Sequence, residues 1–414
     1  MLTERTKKIV FAVIFCIVSI GMGFAIYWML FRTKVAAPRV ELPPGYEGQL
    51  PQAGAGGAQS KTTMGEPREL PPSGDSVPTG ALTENGRGTL GTNTTLLRDS
   101  VTQAVVPATD GNGARFYNPD DGRFYRVTAD GTVKALGEKQ FFNVDTVSWA
   151  HRTDEAILKF PDGSNVFYDF KGARQVMLPK HWEDFDFAPG DDKVAAKSIG
   201  NDPDNRFLIV TNPDGTEARA IETLGENQDK AHVAWSPSGQ IVGYATTGDP
   251  QSANQQQILF IGQNRENFKS ITAPGQGFVP NWSPTGKQIL FSVYDPSTDN
   301  KPLLYVASGD PTTMGARRKS LALNTWADKC AWANESELFC AVPQDMPLNA
   351  GVLRSQFATL SDDVYRIDLA LGSAVKITTA NQNYPVRQPV VNKEKTAFIF
   401  TDAATGKLYK YDLK

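Results

Sequence analysis

The sequence predicts an all-β protein: a seven-bladed β-propeller, with six or eight blades as the neighbouring solutions, carried on a single N-terminal transmembrane helix. Three observations lead there. A Trp-Ser-Pro-x-Gly phrase occurs twice, at Trp235–Gly239 and Trp282–Gly286, each time followed by an apolar, strand-like run. Short β-rich segments bounded by turn signals recur to the last residue, with little amphipathic helix between them. One run, Ile9–Phe31, carries no charge over 23 residues.

The propeller follows from the period. The ends of successive first strands fall at Val106, Trp149, Phe187, Trp235, Trp282, Trp332 and Val391, at intervals of roughly 38 to 59 residues, the length of a four-stranded blade. Within a blade, "SPSG" and "SPTG" reverse the chain between first and second strands, because Pro pre-sets φ and Gly suits the end of a type I turn. The preceding Trp is expected to fill the wedge between blades. Third strands read "RFLIVT", "QQILFIG", "PLLYVAS", "DVYRIDL" and "KLYKYDL". Fourth strands follow turns such as "NPDGT", where Asp-Gly favours a hairpin. The last unit ends with only three strands, which leaves an open edge. The segment "NTTLLRDS", Asn93–Ser100, resembles a displaced fourth strand and is expected to close the ring.

As a helix, Ile9–Phe31 extends roughly 35 Å, enough to cross a bilayer. It is too long for the apolar region of a cleaved signal peptide, and Phe15 before Cys16 is wrong for a lipoprotein signal. Arg5, Lys7 and Lys8 precede the span, while Arg32, Lys34 and Arg39 follow it. The short N-terminal tail favours a cytoplasmic N-terminus with the rest outside, periplasmic or at the cell surface. The expected division is therefore 1–35 tail and anchor, 36–92 linker and 93–414 propeller. The linker is rich in Pro, Gly and Ser and too poor in large apolar residues to offset its ordering entropy. It spans roughly 40 Å as a flexible chain.

The Trp-Ser-Pro-x-Gly turns with "LLYVAS"-type third strands resemble the WD40-like repeats of TolB-type bacterial propellers, over residues from about 93 to 414. The motif is clear at Trp235–Gly239 and Trp282–Gly286; "FAPGDD" at Phe187–Asp192 is a variant of it. TolB carries a small α/β domain before its propeller, a place taken here by anchor and linker. The resemblance implies an envelope-located, protein-binding propeller.

Little in the sequence points to catalysis. A formal charge of −3 and a pI near 5.8 argue against a nucleic-acid surface. There are three histidines, His151, His181 and His232, and no carboxylate partner follows from spacing for His181 or His232; structural or surface roles are expected. The sialidase Asp-box is absent, as is a Gly-x-Ser-x-Gly elbow. "NDPDN" at Asn201–Asn205 lacks the ligand spacing of a calcium loop and reads as a solvated turn. No catalytic, cofactor or metal residue is assigned. Cys330 and Cys340 flank the turn "ANESE" on adjacent strands; two reduced, buried thiols are expected there, with a disulfide as the other outcome.

A binding face can be named. Loops joining second to third strands emerge on one face of a propeller, together with the blade-to-blade connections. The first, second and last units use tight turns, Pro119–Gly122, Pro161–Gly163 and Asp402–Gly406. The third to sixth carry longer loops, the longest from about Pro343 to Asp363. These four raise an acidic rim of Asp202, Asp204, Asp249, Asp295, Asp299, Asp345, Asp362 and Asp363. Within the longest, Leu348, Val352, Leu353, Phe357 and Leu360 recur at intervals that place most of them on one side of a short helix. This stripe either packs down on its own propeller or forms an apolar contact site for a partner with basic flanks. Two function classes remain: a binding or scaffold module for an unidentified envelope protein or polymer, or a propeller enzyme acting on a carbohydrate or lactone through its acidic face. The lipid bilayer is the partner expected for Ile9–Phe31.

Overall fold

A computed structural model describes residues 83–84 and 94–413, apart from 249–251, 253, 267 and 379–382. Among the described residues, seven sheets follow one another along the chain, each built of four consecutive or ring-closing antiparallel strands. Their first strands are Gln103–Pro107, Thr146–Trp149, Trp182–Phe187, Ala231–Val233, Gln276–Trp282, Cys330–Trp332 and Val386–Val391, numbered here as blades 1 to 7. The count is seven, and every marker read from the sequence falls on or just after one of these strands.

Ring closure takes the expected form. Thr94–Arg98 pairs antiparallel with Leu408–Asp412 as the outer strand of blade 7. The backbone N–H of Thr102 donates to Gly406 O at 2.8 Å. Blade 6 gains a fifth strand that the sequence did not suggest: Thr83–Glu84, inside the stretch read as linker, pairs parallel with Ser373–Ala374.

The core is divided. Each of seven hydrophobic clusters joins residues of two adjacent blades rather than filling one centre. Trp235 packs with Ala195 and Leu208 of blade 3, and Trp149 packs with Tyr117 and Phe124 of blade 1. These are the wedges that the repeated Trp was expected to fill. The turns that follow are built as the motif requires: Gly239 N donates to Ser236 O at 2.8 Å and Gly286 N to Ser283 O at 2.9 Å. Gly286 has φ +74°, and a Cβ there would lie 2.9 Å from Ser236 Oγ and from Ser238 N of the neighbouring turn. Left-handed backbone and close approach both demand glycine at that point.

Polar clamps complete the blade contacts. Arg115, almost wholly buried, donates to Thr153 O at 2.6 Å and Ala150 O at 2.7 Å, and its guanidinium lies 4.7 Å from the Trp149 ring. Asp191 of blade 3 accepts the backbone N–H groups of His151 and Arg152 at 2.7 Å and of Thr153 at 2.9 Å. The "AHRTD" turn of blade 2 lacks Ser-Pro-x-Gly, and this carboxylate satisfies the N–H groups that the turn leaves open.

Cys330 and Cys340 are directly paired across the first two strands of blade 6 and form a disulfide, with Cα atoms 4.0 Å apart. This corrects the expectation of reduced thiols. The strands approach more closely at this pair than the ordinary cross-strand spacing on which that expectation rested. Among the described residues no helix is long and apolar enough to cross a membrane; Ile9–Phe31 lies outside them.

Candidate functional site

The face carrying the second-to-third-strand loops is here called the top. In blades 1, 2 and 7 it is low: Gly122 N returns to Asn118 O at 2.9 Å, Gly163 N to Phe160 O at 2.9 Å and Gly406 N to Asp402 O at 2.7 Å. Blades 3, 5 and 6 raise ordered loops. Asp202 caps the one-turn 3-10 helix Pro203–Asn205 by accepting from Asp204 N, and both acids are exposed. Asp295 caps Pro296–Thr298 in the same way, accepting from Ser297 N at 2.8 Å. Asp299 adopts a left-handed conformation and pairs with Lys301 at 3.4 Å. Asp249 lies outside the described residues. Asp345 is exposed.

Asp362 and Asp363 do not belong to the rim. They are the first two residues of the third strand of blade 6, paired with Pro343 and Val342, and they are 0% and 8% exposed. Each is buried because it has partners. Asp362 accepts from Lys329 Nζ at 2.7 Å and from Val386 N at 2.7 Å. Asp363 takes Lys376 Nζ at 2.6 Å and Gln344 Nε2 at 3.2 Å. The loop proper is therefore residues 344–361.

That loop is not the short helix expected of its apolar spacing. Only Arg354–Phe357 forms a turn of 3-10 helix, because Asn349 at φ +62° breaks any helical run. It is nevertheless tightly placed. Asn349 N donates to Asp299 O at 2.9 Å and Gly351 N to Asn300 O at 2.8 Å, both across to the blade 5 loop. Gly351 lies on Tyr294, where a Cβ would come within 2.4 Å of Tyr294 Cβ. Ala350 is fully buried beneath. Arg354 pairs with Asp328 at 2.5 Å and lies 5.1 Å from the Trp326 ring. Held this way, Leu348, Val352 and Leu353 are 62%, 53% and 41% exposed, while Phe357 and Leu360 are half-buried. The first three do not pack down on the propeller.

A second group, on the first two strands of blade 3 and the first strand of blade 4, escaped the sequence reading. Lys197, largely buried, lies 2.6 Å from Asp184 and 3.6 Å from Glu183, and donates to Gln228 O at 3.3 Å. Glu183 also reaches Lys159 of blade 2 at 3.8 Å. His232 stacks on Tyr244 with ring centroids 4.9 Å apart. Burial, with Lys197 adding to it and Asp184 opposing, pushes the imidazole below its ordinary value; burial pushes Tyr244 up to about 12. The signal lay in "HWEDFDF", where three acids, Glu183, Asp184 and Asp186, interrupt an apolar first strand. A bulge between Glu183 and Asp186 and a left-handed Asp184 turn the first two aside from the blade. The group offers paired charges and an imidazole whose protonation burial disfavours. Among the described residues, no three His, Cys, Asp or Glu converge to hold a metal ion.

Comparison with solved structures defines the class: the domain is a β-propeller. A Swd1 propeller domain from Myceliophteria thermophila is 12% identical, with a TM-score of 0.52 over 78% of this chain and 100% of that one. An oligogalacturonate lyase in complex with manganese is 13% identical, with a TM-score of 0.54 over 78% and 93%. A streptogramin B lyase is 10% identical, with a TM-score of 0.51 over 80% and 100%. At such identities the likeness extends to the fold alone, and these neighbours include enzymes and a domain named for no activity. No family model and no curated protein matches the chain.

Proposed function

We propose that this chain is a membrane-anchored, extracytoplasmic β-propeller of the TolB-like kind, acting as a protein-binding or scaffold module of the cell envelope. The observation that carries the reading is the platform on blade 6: three large apolar side chains held out to solvent on a loop that is itself hydrogen-bonded in place. Side chains left exposed in this way gain nothing for folding, and a rigid loop presenting them loses little entropy on binding. The disulfide suits an oxidising compartment. Residues 1–35 act as tail and anchor through Ile9–Phe31, 36–92 as linker apart from the blade 6 strand Thr83–Glu84, and 93–414 as the propeller, with the N-terminus cytoplasmic.

The test replaces residues 344–361 with an Asn-Gly turn, keeping Pro343 and Asp362 so that the ladder is intact. The melting transition should be unchanged and partner recovery by proximity labelling in the native cell should fall away. A normally folded, shortened protein that still recovers every partner would overturn the reading. The group of Lys197, Asp184, Glu183 and His232 across blades 3 and 4 supports a second reading, a carbohydrate- or lactone-active enzyme. Turnover of oligosaccharide or lactone substrates that is abolished by Lys197→Met in a folded protein would favour it.

A further inference from the structure

The chemistry of the partner can be taken one step further, resting on the binding-module reading above. We infer that the blade 6 platform receives a cationic amphipathic segment of another protein: apolar anchors seated on Leu348, Val352 and Leu353, with Lys or Arg on either flank. The anchor surface comes from the exposure of those three residues, and the flanking preference from charge. The platform and the elements it is bonded to carry Asp295, Asp299, Asp328 and Asp345. Opposite them stand Lys301 and Arg354, already paired with Asp299 and Asp328, and Lys329, which is neutralised by Asp362. Asp295 spends its carboxylate on Ser297 within its own turn, and Asp345 is exposed. The apolar patch thus lies in a field of net negative sign.

That sign selects among occupants. An anionic membrane surface would be repelled by it. A second copy of this chain in a two-fold contact would set each acidic loop against its equivalent, since such an interface is self-complementary in residues and therefore like-charged here. A basic segment meets neither penalty, and opposite charge also speeds and orients its approach. The fixed loop matters as well. Ala350 underneath and Gly351 against Tyr294 hold the platform in one conformation, so the segment meets a preformed surface.

The experiment places a benzophenone amino acid at position 352 in the full-length chain, in its native cell, and maps the cross-linked peptide by mass spectrometry. The expected product joins residue 352 to a segment of another protein that has apolar residues and net positive charge. Reversing Asp299 and Asp345 to Lys should cut its yield about fivefold or more at unchanged protein level. Cross-links to lipid, to a second copy of this chain, or to a neutral or acidic segment would overturn this inference while leaving the binding-module reading intact. No cross-link at all would sink both.

Discussion

Lys329 Nζ lies 2.7 Å from each carboxylate oxygen of Asp362, and that contact joins three elements at once. Lys329 ends the 3-10 turn leading into the first strand of blade 6, Asp362 begins its third strand, and Asp362 also accepts from Val386 N of blade 7. The pair therefore both fixes the strand that ends the platform loop and joins two blades.

Its titration gives a first prediction. Burial pushes the Asp362 carboxyl up to about 6 despite the pull of Lys329. A carboxyl that titrates higher when folded binds more protons in the native state between about pH 4 and pH 6. Its contribution to stability is therefore present below about pH 4 and declines as pH rises through 6, by about 3 kcal/mol in all. Urea unfolding across this range should show that component in the wild type and lose it in Asp362→Asn. At pH 7 the variant should be at least as stable as the wild type, because a neutral side chain avoids the burial cost that raises the carboxyl despite Lys329. Superimposable pH profiles would contradict the assignment.

The disulfide gives a second. Intact-mass measurement after alkylation without reductant should find no group added to Cys330 or Cys340. Replacing both by Ala should cost about 2–3 kcal/mol, the scale for closing so short a loop. Alkylation of both cysteines in the unreduced, denatured protein would show the bond to be absent.

A third concerns Gly351. Its replacement by Val puts a Cβ 2.4 Å from Tyr294 Cβ, a contact that can be relieved only by lifting the loop. The core should be untouched, with the melting temperature changed by about 2 °C or less. Trypsin should now cut after Arg354 at least about tenfold faster, the loop having lost its local protection. Equal cleavage rates would mean that the loop is not held from blade 5.

The fourth tests the clamp between blades 2 and 3. Asp191→Ala leaves three backbone N–H groups without their acceptor and should destabilise the domain by about 2–3 kcal/mol; Asp191→Asn should cost about half as much. Denaturant midpoints for the two variants decide it. A loss below about 0.5 kcal/mol for the alanine would show that solvent takes over the role.

The repeat was legible because its physics is local. Proline and glycine fix each turn within four residues, and alternation fixes each strand, so seven blades and the closing strand Thr94–Arg98 could be read from the text. Asp362 and Asp363 were misplaced for the opposite reason. What buries them is Lys329 and Val386 for one and Lys376 for the other, partners brought close only by the finished sheet and its neighbour. The apolar spacing of Leu348 to Leu360 suggested a helix because periodicity carries no account of Asn349 at φ +62° or of Gly351 against Tyr294. The Lys197 group was hidden in the same way: a bulge interrupts the strand between Glu183 and Asp186, and nothing in the spacing announces a bulge.

The strand Thr94–Arg98 has a consequence for manufacture. It leaves the ribosome ahead of all seven blades, yet its partner Leu408–Asp412 is made after every other strand of the ring. Throughout synthesis the nascent chain carries an unsatisfied strand at one end and a growing stack with an open flank at the other. Blades can form in sequence, but the seam cannot be sealed until Leu408–Asp412 has emerged. That interval is when the half-built ring is open to capture by chaperones or by strands of its neighbours.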